Sequence, residues 1–297
     1  MKYPTVTDPG IRTFLEEGER LYPDDAVNFS MNQQRAFYDS YCAHFRKARP
    51  SGVAVQDFAV GDIRCRRYMP QKPHGTLLYL HGGGFVVGGL ESHDDVCAEL
   101  AAGAEVVGVA VQYRLAPEHP FPAAFDDCWI VLQEMSKNGH AVVVAGDSAG
   151  GNLAAALCLK ARDEGGPAIK GQVLIYPGLG GDMSKGSYVS QADAPGLTTK
   201  DVVYYRDTYQ GGDSPYAAPM HAESHAGLPS AFLVASGLDP SHDDCFDYAA
   251  KLRANGIPAE VRDEPLLVHA FLRARHMSEP AAKSFAAIIA AIRRFAA

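Results

Sequence analysis

An α/β fold, with a mostly parallel central sheet and helices on both of its faces, is predicted by three observations in this 297-residue chain. Strand-like and helix-like segments alternate from residue 76 to residue 295. The run Ala141-Val142-Val143-Val144-Ala145 is apolar throughout and reads as a buried strand. It leads directly into Gly146-Asp147-Ser148-Ala149-Gly150-Gly151, whose glycines suit a sharp turn where a strand and the next helix approach closely.

The composition, 47% hydrophobic and 21% charged, is that of an ordinary globular protein, long enough for one large domain or two small ones. A net charge of −8 argues against a nucleic-acid partner, since phosphate binding is driven by clustered Lys and Arg. The short cluster Arg64-Cys65-Arg66-Arg67 reads as a solvated strand face. Met1-Lys2-Tyr3-Pro4-Thr5 lacks the apolar core of a signal peptide, and no apolar run is long enough for a bilayer. A cytoplasmic protein without membrane insertion is therefore expected. Cys42, Cys65, Cys97, Cys128, Cys158 and Cys245 form no C-x-x-C pair and read as buried, reduced thiols.

Residues 1–48 have amphipathic helical spacing and precede the first strand signal. Two readings stand side by side: an arm packed on the core, or a cap lining a pocket with Phe37, Tyr38 and Tyr41. Residues 53–60 and 63–68 read as strands joined by Gly61-Asp62, a hairpin signal. Strands then follow at 76–80, 106–112, 141–145 and 172–176, with helices at 94–102, 121–138 and 152–160 between them. From 177 to 228 Gly, Ser, Pro and Asp are dense, with one helix expected at 200–209. An interruption of that length inside an α/β array reads as a functional insertion or lid. The array resumes with strands at 231–236 and 260–264 and helices at 246–255 and 280–295.

A serine hydroxyl becomes a nucleophile only with a base to take its proton, an acid to orient the base, and donors for the oxyanion. In an open α/β sheet those groups belong at the carboxyl ends of strands. Ser148 sits at one such end. His81-Gly82-Gly83-Gly84-Phe85 follows the 76–80 strand and offers unshielded backbone N–H groups. No G-x-G-x-x-G or G-x-x-x-x-G-K-[ST] pattern supports a phosphate loop instead. Asp239 follows the 231–236 strand, with Asp243 and Asp244 as rivals. His269 follows the 260–264 strand and its apolar extension, ahead of His242 and His276, because Ser, then Asp, then His is the chain order this turn demands. His221 and His225 have metal-like spacing, but their flanking Pro219 and Gly227 read as a surface loop, and no metal site is expected.

Together with Tyr113-Arg114-Leu115-Ala116-Pro117-Glu118 and Pro120-Phe121-Pro122-Ala123-Ala124, these motifs make the chain resemble the hormone-sensitive-lipase-like esterases of the α/β-hydrolase superfamily from about residue 53 to the end. The resemblance implies an α/β-hydrolase fold with a helical cap, and Ser148 as nucleophile, His269 as base and Asp239 as its orienter. It implies the N–H groups of Gly83, Gly84 and Ala149 as oxyanion donors, and no cofactor. Arg114 reads as an internal ion-pair member. Ala270 departs from the family, which usually has glycine there. Residues 1–48 and 177–228 are implied to cap a catalytic domain of 49–297, with Phe85, Tyr38, Tyr41, Leu179, Tyr204, Tyr205 and Tyr209 as candidate substrate-lining residues.

The expected activity is hydrolysis of short- to medium-chain acyl esters through an acyl-enzyme. An amidase or peptidase with the same triad, or a non-catalytic small-molecule receptor on this fold, are the alternatives. The final helix either packs on the sheet alone or also forms a homodimer surface, as relatives of this kind often do.

Overall fold

The computed structural model describes residues 3–23 and 25–297, less the side chain of Asn138. Met1 and Lys2, part of the start read for a signal peptide, and Asp24, in the predicted N-terminal helical segment, lie outside the described residues. Among the described residues the strands are β1 (Ala54–Val60), β2 (Ile63–Met69), β3 (Thr76–Leu80), β4 (Val107–Val111), β5 (Val142–Asp147), β6 (Ile169–Ile175), β7 (Ala231–Leu238) and β8 (Ala259–Val268). They form one eight-stranded sheet in the order β1-β2-β4-β3-β5-β6-β7-β8. The β1–β2 hairpin turns at the predicted Gly61-Asp62, and β2 runs antiparallel to β4. From β4 to β8 every pairing is parallel, so the ends of β3, β5, β7 and β8 all open on the same edge of the sheet.

Both faces are covered. Along β5, Val142 and Val144 enter the core under α4 (Ala123–Met135), α5 (Ala149–Asp163) and α8 (His242–Ala254), while Val143 and Ala145 enter the core under α3 (Asp94–Ala104) and α9 (Glu279–Ala296). Every second side chain thus meets a different helical layer, which is why the strand shows no apolar/polar alternation. Residues Ala281, Phe285, Ile288 and Ile292 give α9 a stripe at helical spacing, each buried. No helix among the described residues is long and apolar enough to cross a membrane.

The N-terminal segment folds as α1 (Pro9–Gly18) and α2 (Met31–Phe45). Asp8 caps α1 by accepting the Ile11 N–H at 2.8 Å, Pro9 occupies its first turn, and Ile11, Phe14 and Leu15 are buried against the sheet core. Each such apolar side chain contributes about 1.5–3 kcal/mol on burial, so the segment is docked and not a loose arm. Residues 177–228 carry α6 (Ser187–Ser190) in addition to the expected helix, α7 (Thr199–Tyr209), which a Thr198–Asp201 capping box starts.

Two expectations are corrected. Arg66 does not lie on a solvated face: it is 7% exposed and pairs with Asp57 at 2.6 Å, Glu91 at 2.8 Å and Asp94 at 2.9 Å. His225 is buried rather than on a surface loop, its Nε2 lying 3.2 Å from the Pro219 carbonyl. His221 faces Asp213 at 3.8 Å, and no metal-holding group of His, Cys, Asp and Glu is found among the described residues. All six cysteines are buried free thiols.

Candidate active site

Strand β5 ends at Asp147, and Ser148 then takes φ 54° and ψ −119°, a conformation that costs an L-residue on the order of 1–3 kcal/mol. The surrounding packing holds it there. Gly150 lies so close to β3 that a Cβ would collide with the carbonyl oxygens of Leu80 and His81. Close approach also explains why α5 begins at Ala149 despite two helix-weakening glycines in its first turn.

The turn aims Ser148 Oγ at His269, 2.8 Å from its Nε2, and His269 Nδ1 lies 2.6 Å from Asp239 Oδ2. A carboxylate only accepts, so Nδ1 carries the proton and Nε2 is left free to take one from serine. Asp239, fully buried beyond β7, accepts the Ser241 N–H and hydroxyl on its other oxygen, each at 2.8 Å. Ala270 follows His269 at φ 61°, in the left-handed region where glycine is cheapest and alanine costs about 1–2 kcal/mol.

The rivals have partners elsewhere. Asp243 accepts the Ser187 N–H at 2.9 Å and faces His242 at 2.8 Å, and His276 sits 3.0 Å from Glu99. Asp244 accepts the Leu179 N–H at 2.6 Å and the Tyr188 hydroxyl at 3.1 Å, yet burial still pushes its carboxyl up to about 6.

Beyond β3, Gly83, Gly84 and Phe85 have φ of 126°, 58° and 64°. Among the described residues, the N–H groups of Gly83, Gly84 and Ala149 have no protein acceptor, and all three residues border the cavity at Ser148. A Cβ on Gly84 would strike the Tyr205 ring. The loop's entry is fixed by the Gly82 N–H, which donates to Asp147 Oδ1 at 3.0 Å, an oxygen that also accepts the Tyr79 hydroxyl at 2.7 Å. Burial would raise the Asp147 carboxyl, but His93 at 3.3 Å, the Tyr79 bond and the charge of Arg273 outweigh it and hold the carboxyl below its ordinary range.

A cavity of about 800 Å³ lies over these groups. Of the sequence-derived candidates, Tyr38, Tyr41, Phe85, Tyr205 and Tyr209 line it, Tyr209 stacking on Phe85 at 3.7 Å. Leu179 and Tyr204 do not. Leu179 is fully buried in the core, and the Tyr204 hydroxyl accepts from Gln34 Nε2 at 2.9 Å. Phe37 turns away to pack edge-on against Phe29. Arg114 is ion-paired with Asp127 at 2.7 Å, though its side chain is 48% exposed.

Tyr22 also lines the cavity, its hydroxyl 3.2 Å from that of Tyr205, as do Tyr176 and Tyr188. Single tyrosines among 14 carry no sequence signal of their own. Arg273, four residues after His269, donates to the Ser92 carbonyl at 2.8 Å and the Tyr38 hydroxyl at 3.1 Å, and so ties the His269 loop to α2.

An eight-stranded sheet of this order, with a serine at a strained strand-to-helix turn, defines an α/β hydrolase. Residues 77–273 match the family described as alpha/beta hydrolase fold, and the chain belongs to that family, among its hormone-sensitive-lipase-like members. It is similar to the esterase LipI of Mycobacterium tuberculosis, 42% identical over 241 residues that span 74% of this chain and 75% of the relative. The carboxylesterase NlhH of the same organism is 38% identical over 251 residues, 78% of each. Among solved structures, the hyperthermophilic esterase of the archaeon Pyrobaculum calidifontis superposes with a TM-score of 0.87 at 32% identity, covering 97% of this chain and 98% of that one.

Proposed function

We propose that this carboxylic ester hydrolase cleaves short- to medium-chain acyl esters through an acyl-enzyme on Ser148. The observation that carries the reading is the unbroken relay from Ser148 Oγ to His269 at 2.8 Å and from His269 to Asp239 at 2.6 Å. Oγ attacks the ester carbonyl carbon while His269 Nε2 takes its proton, and buried Asp239 stabilises the imidazolium. The tetrahedral oxyanion accepts from the N–H groups of Gly83, Gly84 and Ala149. Collapse breaks the bond to the alcohol, which leaves with the proton from His269. Water then loses a proton to the same nitrogen and attacks the acyl carbon. A second collapse breaks the bond to Ser148 Oγ, which takes that proton back from His269 as the acid leaves.

Residues 1–48 and 177–228 act as the cap, a role supported by the cavity walls that Tyr22, Tyr38, Tyr41, Tyr205 and Tyr209 supply from those two segments. A volume near 800 Å³ accommodates an ester of modest size. The reading extends to a cytoplasmic enzyme, supported by six buried free thiols, to a small-molecule rather than a nucleic-acid partner, and to a homodimer whose existence sedimentation decides.

Replacing Ser148 with alanine is the direct test. Hydrolysis of p-nitrophenyl butyrate and labelling by a fluorophosphonate should both disappear while the circular dichroism stays that of the parent. Residual turnover at the parent rate would place the nucleophile elsewhere.

A further inference from the structure

Neither α2 nor Glu118, the last residue of the Y-R-L-A-P-E stretch, takes part in the chemistry above, yet Arg35 joins the two at the rear of the oxyanion loop. Its Nε donates to the Val86 carbonyl at 3.0 Å and its Nη2 to the Ala116 carbonyl at 3.1 Å. Nη1 and Nη2 donate to the two Glu118 oxygens at 2.9 and 2.6 Å. Val86 is two residues past Gly84. The turn closes on itself through the Val86 and Val87 N–H groups, both 3.0 Å from the Gly83 carbonyl, and rests on its neighbour through the Ala116 N–H, 2.9 Å from the Phe85 carbonyl. One guanidinium therefore holds both sides of that last contact.

Three successive residues at positive φ make the loop's backbone unusual, and Phe85 carries strain there that glycine would not. Asp147 fixes the front of the loop at Gly82, and Arg35 is the corresponding hold at the back. The hydrogen bonds from Arg35 keep the Glu118 carboxyl below its usual range, so the pair stays charged and the fork stays oriented. Lysine carries its three N–H donors on one nitrogen and lacks the planar fork whose Nε, Nη1 and Nη2 span Val86, Ala116 and Glu118.

We propose that Arg35, clamped by Glu118, is a positioning residue for the oxyanion loop, keeping the Gly83 and Gly84 N–H groups aimed at the developing oxyanion. The inference rests on the acyl-enzyme reading above. It assigns α2 a part in turnover as well as in substrate fit. The two parts differ in their kinetic signature. A misaligned oxyanion loop lowers kcat for every ester alike, whereas a lost pocket wall changes KM and does so increasingly with acyl length.

The test compares Arg35→Ala, Arg35→Lys and Glu118→Gln with the parent on p-nitrophenyl esters from acetate to octanoate. Arg46→Ala serves as the control, since Arg46 also caps α2 and pairs with Glu91 at 3.1 Å, while among the described residues its side-chain hydrogen bonds go to Glu91 and to none of residues 82–87. Arg35→Ala should lower kcat by about tenfold or more at every chain length with KM little changed, less than the loss of a whole donor. Arg35→Lys and Glu118→Gln should fall between it and the parent, and Arg46→Ala should match the parent. Because the Arg35 side chain is 27% exposed, millimolar guanidinium should restore part of the kcat of Arg35→Ala and none of that of Ser148→Ala. An unchanged kcat on acetate with losses only on long esters would overturn the proposal, as would a uniform loss shared by Arg46→Ala. Should Arg35→Ala fail to fold, the same criteria apply to Arg35→Lys and Glu118→Gln. Failure of the parent to label at Ser148 is a separate result and would remove the acyl-enzyme reading itself.

Discussion

Asp239 Oδ2 stands 2.6 Å from His269 Nδ1 with no solvent exposure of its own, so the imidazole has a fixed tautomer and a buried counter-charge at once. Replacing Asp239 with asparagine keeps the shape and removes both. The expected result is a drop in kcat of about 10⁴-fold with KM nearly unchanged. Asp243→Asn, whose carboxylate serves Ser187 and His242, should stay within a few-fold of the parent. Steady-state kinetics of the two variants decides between the acids.

A parallel comparison separates the histidines. His269→Gln should be as inactive as Ser148→Ala, while His242→Gln and His276→Gln, which give up contacts to Asp263 and Glu99, should retain turnover. The opposite ranking would move the base.

Gly84 and Tyr205 are coupled by contact. Gly84→Ala introduces a Cβ against the Tyr205 ring at a backbone φ of 58°, and should cost about 10²-fold in kcat through the displaced donor. Adding Tyr205→Ala relieves the collision but not the backbone strain, so the double variant should recover part of the loss. A double-mutant cycle measures this, and strict additivity would mean that the ring does not bound the loop.

Asp244 makes stability depend on pH in a direction opposite to most carboxylates. Its folded value of about 6 lies above the unfolded value near 4, so the folded state binds more protons in between. The resulting stabilisation is complete below about pH 4 and is lost as pH rises through about 6, amounting to ~2–3 kcal/mol. Asp244→Asn keeps an acceptor for the Leu179 and Gly181 N–H groups without the ionisation. Urea melts at pH 4, 5, 6 and 7 should therefore show the variant gaining on the parent with rising pH. A constant difference would contradict it.

The sheet and the Ser148, Asp239 and His269 positions were legible because each chemical group follows its own apolar run and a parallel sheet brings strand ends together. Side chains that depend on contacts between distant segments were not. Arg66 looked like part of a basic surface because nothing local announces that Asp94, 28 residues on, folds over it. Leu179 lies in irregular chain, where no period tells inside from outside. Tyr204 sits within α7, but its partner Gln34 comes from 170 residues away, and Tyr22 meets Tyr205 across 183 residues. The glycines at 150 and 151 suggested a later start for α5, since propensity disfavours them where tertiary packing requires them.

The cavity borrows its walls from Phe14, Ser148, Tyr205 and His269, residues spread over nearly the whole chain. Turnover is therefore a readout of long-range assembly rather than of local structure. During refolding, the far-ultraviolet signal of helices such as α5 and α9 should return before the esterase activity does. A chain nicked between α2 and β1 that keeps its sheet would be compact, spectroscopically near-native and catalytically silent until the severed piece docks again.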